Sequence, residues 1–323
     1  MARLSACDWL GRNDGLWQRM VTSVKVLVTG AGGFIGPHVV RYLRKRGHEV
    51  VGLDVRRVEE PNFIQADLTD LEAMVQACFG TDAICHLGGV GDVYLALEKP
   101  YMATAANVTG TANVMEAALA NSVGKVVYAS TWEVYGEPQY QPLDEDHPCR
   151  PHHPYNITKL AGERVALAYD RFKGVQTVAL RLGTAYGPGM RPNSVFSIFI
   201  DRAAKGQPLT IKGSGEQSRQ FAHVRDVARA FALAVESELR QAVFNIVGDE
   251  SVSIKRLAEL VTAELPTQVI YEEARAGDIA PAEVSTARAK EQLGWQPQVA
   301  FEDGLSELIA SRVSARAMVE KAE

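Results

Sequence analysis

Three stretches of the chain carry side chains able to move a proton or grip an oxygen. The first, "YASTWEVYGEP" at residues 128–138, sets Thr131 and Glu133 on either side of Trp132. A hydroxyl can hydrogen-bond a substrate oxygen, and a carboxylate can take or give a proton. The indole between them donates a hydrogen bond but has no useful acidity near pH 7. The second, "YNITK", places Tyr155 and Lys159 at i, i+4, so both leave one face of a helix. An ammonium beside a phenol favours the phenolate, letting Tyr155 exchange a proton near neutral pH. The third, "TGAGGFIG", has glycines at 30, 33 and 36. Glycine is needed where backbone bends tightly or must approach a pyrophosphate at a helix N-terminus. Each stretch alone has a plainer reading: a packed strand end, an exposed helix pair, a simple turn.

Their order along the chain decides between these readings. "VKVLVTG" is a buried strand by composition, and "PHVVRYLRKRG" a helix with cations in its last turn and Gly47 as its stop. "HEVVGLD", "DAICHLG", "KVVYAST" and "VQTVALRLG" read as further strands; "DLEAMVQACF", "YMATAANVTGTANVMEAALANS" and "YNITKLAGERVALAYDRF" read as helices. Strand–helix alternation of this kind predicts α/β architecture: right-handed βαβ units in a Rossmann-type, doubly wound parallel sheet spanning residues 22–183. The glycine turn then lies between the first strand and its helix, where a dinucleotide binds. Thr131 ends a parallel strand, at the crevice where such sheets hold ligands. After Gly183 the rhythm breaks into turns ("TAYGPGMRPNS"), helices and short strands. Residues 184–315 are therefore expected to form a smaller mixed α/β C-terminal substrate lobe, with "AVFNIVG" near 242–248 returning to the main sheet.

Asp54 ends the second strand about 20 residues after the turn, where a carboxylate accepts from the adenine ribose hydroxyls. That favours NAD over NADP, whose 2′-phosphate would meet like charge. Arg56 and Arg57 read as solvated loop cations. Asp67 in "ADLTD" is expected either to reach the adenine edge or to cap the helix near Leu71.

Bulk properties exclude several classes. A chain of 323 residues with 46% hydrophobic and 23% charged residues is globular, with one large or two intimate domains. The net charge of −5 leaves no footprint for nucleic acid, and no basic run suggests a membrane surface. No stretch approaches the roughly 18 apolar residues of a membrane span. Four scattered cysteines without a C-x-x-C pair suggest a reduced, cytoplasmic chain. Residues 1–21 lack an apolar signal core and are expected to be a loosely attached extension, or the product of a start assigned too early, with Met20 the later candidate. Residues 316–323 are expected to be a polar tail. "HPCRPHH" gathers His147, Cys149, His152 and His153, but no second ligand pair has zinc spacing, so no metal is expected.

With "TGAGGFIG", Asp54, "ADL", "HLG", "NVTGT", "STWEVYG" and "YNITK" in this order, the chain resembles the extended short-chain dehydrogenase/reductase family, the NAD-dependent nucleotide-sugar epimerases and dehydratases, from about residue 24 to about 310. The resemblance implies NAD contacts at Gly30, Gly33, Phe34, Ile35, Gly36, Asp54, Asp67, Leu68, Leu87, Asn107, Tyr155 and Lys159. It implies a catalytic trio of Thr131, Tyr155 and Lys159, with the tyrosine taking a sugar hydroxyl proton as C4 passes hydride to the nicotinamide. Lys159 would also hold the nicotinamide ribose. "GSGEQSRQFAHVRDVA" and "ARAGDI" resemble later family motifs, which makes Arg219 and Arg275 a diphosphate clamp; surface salt bridges are the alternative. In relatives, the helices matching 101–121 and 155–173 form a dimer's four-helix interface, implying a homodimer; a plain intrachain core is the alternative.

Departures from the pattern bear on the substrate. "CHLGGV" has glycines where the family usually has His-Leu-Ala-Ala, from which a looser nicotinamide floor is expected. Thr184 stands where many members bind substrate phosphates through asparagine, and Gln220 replaces an aspartate after Arg219. Relatives that perform 4,6-dehydration carry Asp where Trp132 stands, and an indole cannot replace that acid. The expected activity is therefore nucleotide-sugar 4-epimerisation, with decarboxylation or dehydration through Glu133 as the alternative. A non-catalytic NAD-binding regulator is a further one, which the intact trio argues against. If the strand continues past Thr131, Trp132 points into packing; if the chain has turned, Trp132 faces the sugar as a substrate contact.

Overall fold

In the computed structural model, residues 22–273 and 282–320 are described, with side chains as far as residue 316. The extension at 1–21 and Arg275 lie outside the described residues. β1 (Lys25–Thr29), α1 (Gly36–Lys45), β2 (Glu49–Asp54), β3 (Phe63–Gln65), α2 (Leu71–Ala77) and β4 (Ala83–His86) come first. α3 (Val93–Glu98), α4 (Pro100–Thr104), a π-helical turn at Ala105–Thr109 and α5 (Gly110–Ala120) follow, then β5 (Lys125–Thr131), α6 (Pro154–Lys173) and β6 (Gln176–Leu182). These strands and β10 (Ala242–Ile246) build a seven-stranded sheet in the order β10-β6-β5-β4-β1-β2-β3. Every pairing in it is parallel.

Period-two patterning splits each strand between two cores. In β1, Val26 and Val28 face one layer with Val39, Val40 and Leu43 of α1, while Leu27 faces the other with Met74, Val114 and Met115. Gly162 lets α6 lie close on the sheet: a Cβ there would overlap the Tyr128 hydroxyl oxygen and the Asn107 carbonyl. α6 thus rests against the strand that ends at Thr131.

The lobe comprises β7 (Thr184–Tyr186), α7 (Val195–Ala203), β8 (Leu209–Lys212), β9 (Ser218–His223), β11 (Ser251–Ser253), α9 (Ile254–Glu264), β12 (Val269–Glu272) and α10 (Phe301–Glu320). α8 (Val224–Glu236) packs instead on the main sheet through Val227 and Phe231. Two small sheets, β11-β9-β7 and β12-β8, surround an aromatic core of Tyr186, Phe196, Phe221 and Phe301. α10 runs through Glu320, so helix occupies the start of the segment expected as a tail. Among the described residues, no helix is long and apolar enough to cross a membrane.

Candidate active site

The glycine turn shows why its residues must be small. Gly30 has φ +72°, and a Cβ there would sit 2.7 Å from the Gly88 nitrogen. A Cβ on Gly36 would overlap the Gly30 carbonyl oxygen, so both glycines are demanded by the protein's own backbone. Gly33 is different: its added Cβ meets only the Gly30 oxygen, at 3.1 Å. The chain itself therefore leaves space at Gly33 on the approach to the α1 N-terminus, where such turns take a pyrophosphate. Asp54 is buried at the end of β2 and accepts from the Gly32 amide at 3.1 Å. Arg56, read from sequence as a solvated cation, is exposed and also donates to Asp54 at 3.3 Å and to the Gly32 carbonyl. Its guanidinium therefore ties the acid to the turn.

The side chains of the other expected cofactor contacts are placed as follows. Phe34 packs toward the lobe core and Ile35 toward the sheet, so their side chains serve the fold at the start of α1. Leu87 packs on the sheet core. Asp67 accepts from Thr69 N and Oγ at 2.9 Å, while the cap of α2 is Asp70, which accepts from Ala73 at 3.0 Å. The Gly88–Gly89 segment, from which a looser nicotinamide floor was expected, lies close against its neighbours. A Cβ on Gly88 would come 2.8 Å from Leu68 Cδ1, and one on Gly89 would overlap Asn107 Oδ1. The glycines draw the backbone against these two side chains. Asn107 spends its amide on that floor: it accepts from Val90 at 2.8 Å and donates to the Val90 carbonyl at 3.1 Å and to Thr158 at 3.0 Å. It acts as a brace between the floor and α6.

At the catalytic end, β5 stops at Thr131 and a 3₁₀ turn begins at Trp132. The Thr131 hydroxyl caps that turn, accepting from Glu133 N at 3.3 Å, and stands near the Tyr155 phenol. Burial pushes the Tyr155 phenol well up, and the Glu133 carboxylate adds to this, while Thr131 and the Arg191 charge oppose it. The Lys159 ammonium lies over the Tyr128 ring, 4.4 Å from the centroid. Burial brings Lys159 down to about 8, against the opposing charge of Glu163. Glu133 is raised above the ordinary carboxylate range by burial, despite the opposing influence of Arg219, Asn156 and Arg191. A carboxyl in that state can hold or release a proton closer to neutrality.

Trp132 is 7% exposed and packs with Tyr135, Leu143, Val247 and Val284. The chain has turned, yet the indole goes into packing, because a lobe segment at 282–284 folds over it. Most of the indole thus serves the satellite core, and it also lines a small cavity with Arg219, Gln220, Val247, Ala282 and Val284. Gln220 pins that segment, accepting from Val284 N at 2.6 Å and donating to the Gly248 carbonyl at 3.0 Å. Thr184 is exposed on β7, beside β9, the strand that carries Arg219. Two neighbours were missed from sequence: Asn156, next to Tyr155, and Arg191, whose turn-rich surroundings hid it. Arg191 pairs with Asp92 at 3.1 Å, linking the lobe to the loop after β4. Both His147 ring nitrogens are engaged, by Gln139 N at 2.9 Å and the Pro148 carbonyl at 2.8 Å. Among the described residues, no group of three or more side chains could hold a metal ion.

This geometry has counterparts in known proteins. Residues 26–247 match the model of the NAD dependent epimerase/dehydratase family. A putative UDP-glucose 4-epimerase of Methanocaldococcus jannaschii is 32% identical, over 88% of this chain and 97% of its own length. MoeE5, solved with UDP-glucuronic acid and NAD, is 34% identical, covers 91% of this chain and 99% of its own, and superposes with a TM-score of 0.83. The dTDP-glucose 4,6-dehydratase DesIV from Streptomyces venezuelae, solved with NAD, is 28% identical, covers 91% and 98%, and has a TM-score of 0.84. The glycine turn, with Gly33 left open toward a ligand, fits the NAD that these relatives hold. A family model spanning most of the parallel sheet, together with relatives alike over nearly their whole length, makes this chain a member of the NAD-dependent epimerase/dehydratase family, with NAD as its cofactor.

Proposed function

We propose that the chain is a nucleotide-sugar 4-epimerase working through a transient 4-keto sugar. The observation that carries this reading is the meeting of Thr131, at the end of β5, with Tyr155 and a buried Lys159 four residues apart on α6, with an indole at the position next to Thr131. NAD, when bound, supplies the hydride acceptor and then the donor at C4. Tyr155 takes the proton from the sugar O4 and returns it, and Thr131 holds the same oxygen in line. Lys159 places a positive charge near the phenol and the nicotinamide ribose. Arg219 and Thr184 hold the diphosphate, with Arg275 as a second clamp. Epimerisation asks nothing more of the protein than room for the keto sugar to rotate.

Glu133 supports a second reading, as decarboxylase or dehydratase. Its raised, partly buried carboxyl stands close enough to shift Tyr155 and could serve proton chemistry at C5. We also propose a cytoplasmic homodimer through the 101–121 and 155–173 helices. Tyr101, Met102, Ile157 and Phe172 are exposed apolar side chains on those elements.

The test is product analysis by mass spectrometry and NMR across a panel of nucleoside-diphosphate sugars. An unchanged mass with inverted C4 supports epimerase, loss of water dehydratase, and loss of CO2 decarboxylase. Tight NAD binding without turnover on any of them would favour a regulatory NAD-binding protein instead.

A further inference from the structure

Beneath the catalytic strip lies a charged cluster that the proton chemistry above leaves unused. Glu163 stands on α6 four residues after Lys159, itself four after Tyr155, so the three share one stripe of helix. The Glu163 carboxylate is fully buried. It accepts from Ser130 Oγ on β5 at 2.6 Å, and from Arg181 on β6 through Nε at 3.1 Å and Nη2 at 2.7 Å. Arg181 also donates to the Glu145 carbonyl at 3.3 Å and covers the Tyr135 ring, 4.8 Å from its centroid. Ser130 directly precedes Thr131, and Tyr135 ends the turn that carries Glu133. The pair is thus attached to both ends of the strip.

Buried ion pairs are a poor source of net stability, because desolvating both ions offsets most of their attraction; apolar side chains of similar volume often hold as well. The charge therefore has a use beyond adhesion, and the neighbouring cation is Lys159. Tyr155 and Glu163 share its stripe of helix, and Tyr128 from β5 and His86 from β4 lie beside the ammonium. Of these, Tyr128 and Tyr155 are pushed up and His86 is brought down to about 3, and Glu163 is the carboxylate of the group, ion-paired with Arg181 at 2.7 Å. Around Glu163 itself stand Arg181 from β6, Tyr128 from β5 and Cys149 from the loop before α6, whose thiol is also raised.

We propose that Glu163 is a positioning residue: through Ser130 it sets where Thr131 stands, and by its charge it keeps Lys159 an ammonium beside Tyr155. The turnover readouts rest on the epimerase reading above; a second readout does not. Glu163→Gln keeps the shape and one oxygen to accept from Ser130 and Arg181 Nε, but gives up the acceptor for Arg181 Nη2 and removes the charge. The alkaline limb of kcat should then move acidward by roughly one pH unit. The midpoint for Lys159 acylation by trace acetic anhydride, followed by peptide mass spectrometry on the full chain, should move with it. Glu163→Asp should return both toward wild type. Ser130→Ala, which keeps the charge and cuts the anchor, should lower kcat roughly tenfold with the limb unmoved. A Glu163→Gln protein that melts earlier while its limb and labelling midpoint stay in place would overturn the proposal. If Glu163→Gln fails to fold, the combination with Arg181→Met, which removes the buried pair together, must show the same direction of shift, and an unshifted midpoint again overturns it. Absence of turnover in the wild-type chain would sink the epimerase reading and leave the labelling midpoint to decide on Glu163.

Discussion

The two ends of the cofactor site are made of different materials. At the adenosine end the work is done by backbone: Gly30 and Gly36 leave no room for a methyl group, and Asp54 is tied to the Gly32 amide. At the catalytic end it is done by side chains whose protonation the protein has moved: Glu133 and Tyr155 up, Lys159 down to about 8. One end is specified by shape, the other by charge. The first should tolerate no added atom, and the second should tolerate isosteric change in its fold but not in its chemistry.

The largest expected effect tests the charge end. Tyr155→Phe should lower turnover by about 10²–10⁴-fold, the usual worth of an acid–base group, while the NAD content of the purified protein stays the same. Near-normal activity would break the contrast at once. At the shape end, Gly36→Ala should destabilise the fold by about 1–3 kcal/mol through overpacking, seen as a lower Tm. Gly33→Ala should keep its Tm and lose NAD affinity. Equal Tm losses in the two variants would mean that Gly33 serves the fold and not the ligand.

Intermediate effects come from pH. Turnover should fall as pH rises through about 8, where Lys159 gives up its proton. Stability should respond on the acid side through His86, fully buried between Thr29 at 2.7 Å and Thr111 at 3.1 Å. Burial depresses its folded value from 6.5 to about 3, so the unfolded chain binds a proton that the folded chain refuses. Its contribution is whole above pH 6.5 and is lost as pH falls toward 3, which melts between pH 7 and 4.5 would register as a declining Tm. A flat Tm across that interval would place His86 in a more polar setting. The smallest effect belongs to Arg56→Ala: an exposed pair with Asp54 should change NAD affinity by less than about 1 kcal/mol by calorimetry.

Much of this site was legible in the residue order. The strand–turn–helix around Gly30, the acid at Asp54 and the i, i+4 pair of Tyr155 and Lys159 are local patterns, and local patterns dictate local geometry. Trp132 was legible only as a pair of alternatives. What buries it is a segment some 150 residues away, Ala282 and Val284, held by Gln220. The floor glycines misled for the same reason. Gly88 and Gly89 looked permissive as a string, whereas Leu68 and Asn107, from two other elements, press against them.

The sequence by itself determined the parallel sheet, the dinucleotide turn, and which hydroxyl, phenol and ammonium are available for chemistry. Hydrophobic period and spacing suffice for that, because each acts within one or two turns of chain. Only the tertiary structure decided the protonation of those groups and the company they keep. Protonation depends on burial and on charges brought in from elsewhere: Glu133 and Arg191 at Tyr155, Glu163 at Lys159, and the Glu163–Arg181 pair beneath Thr131. Such neighbours are set by how helices and strands pack, over distances that no local pattern encodes.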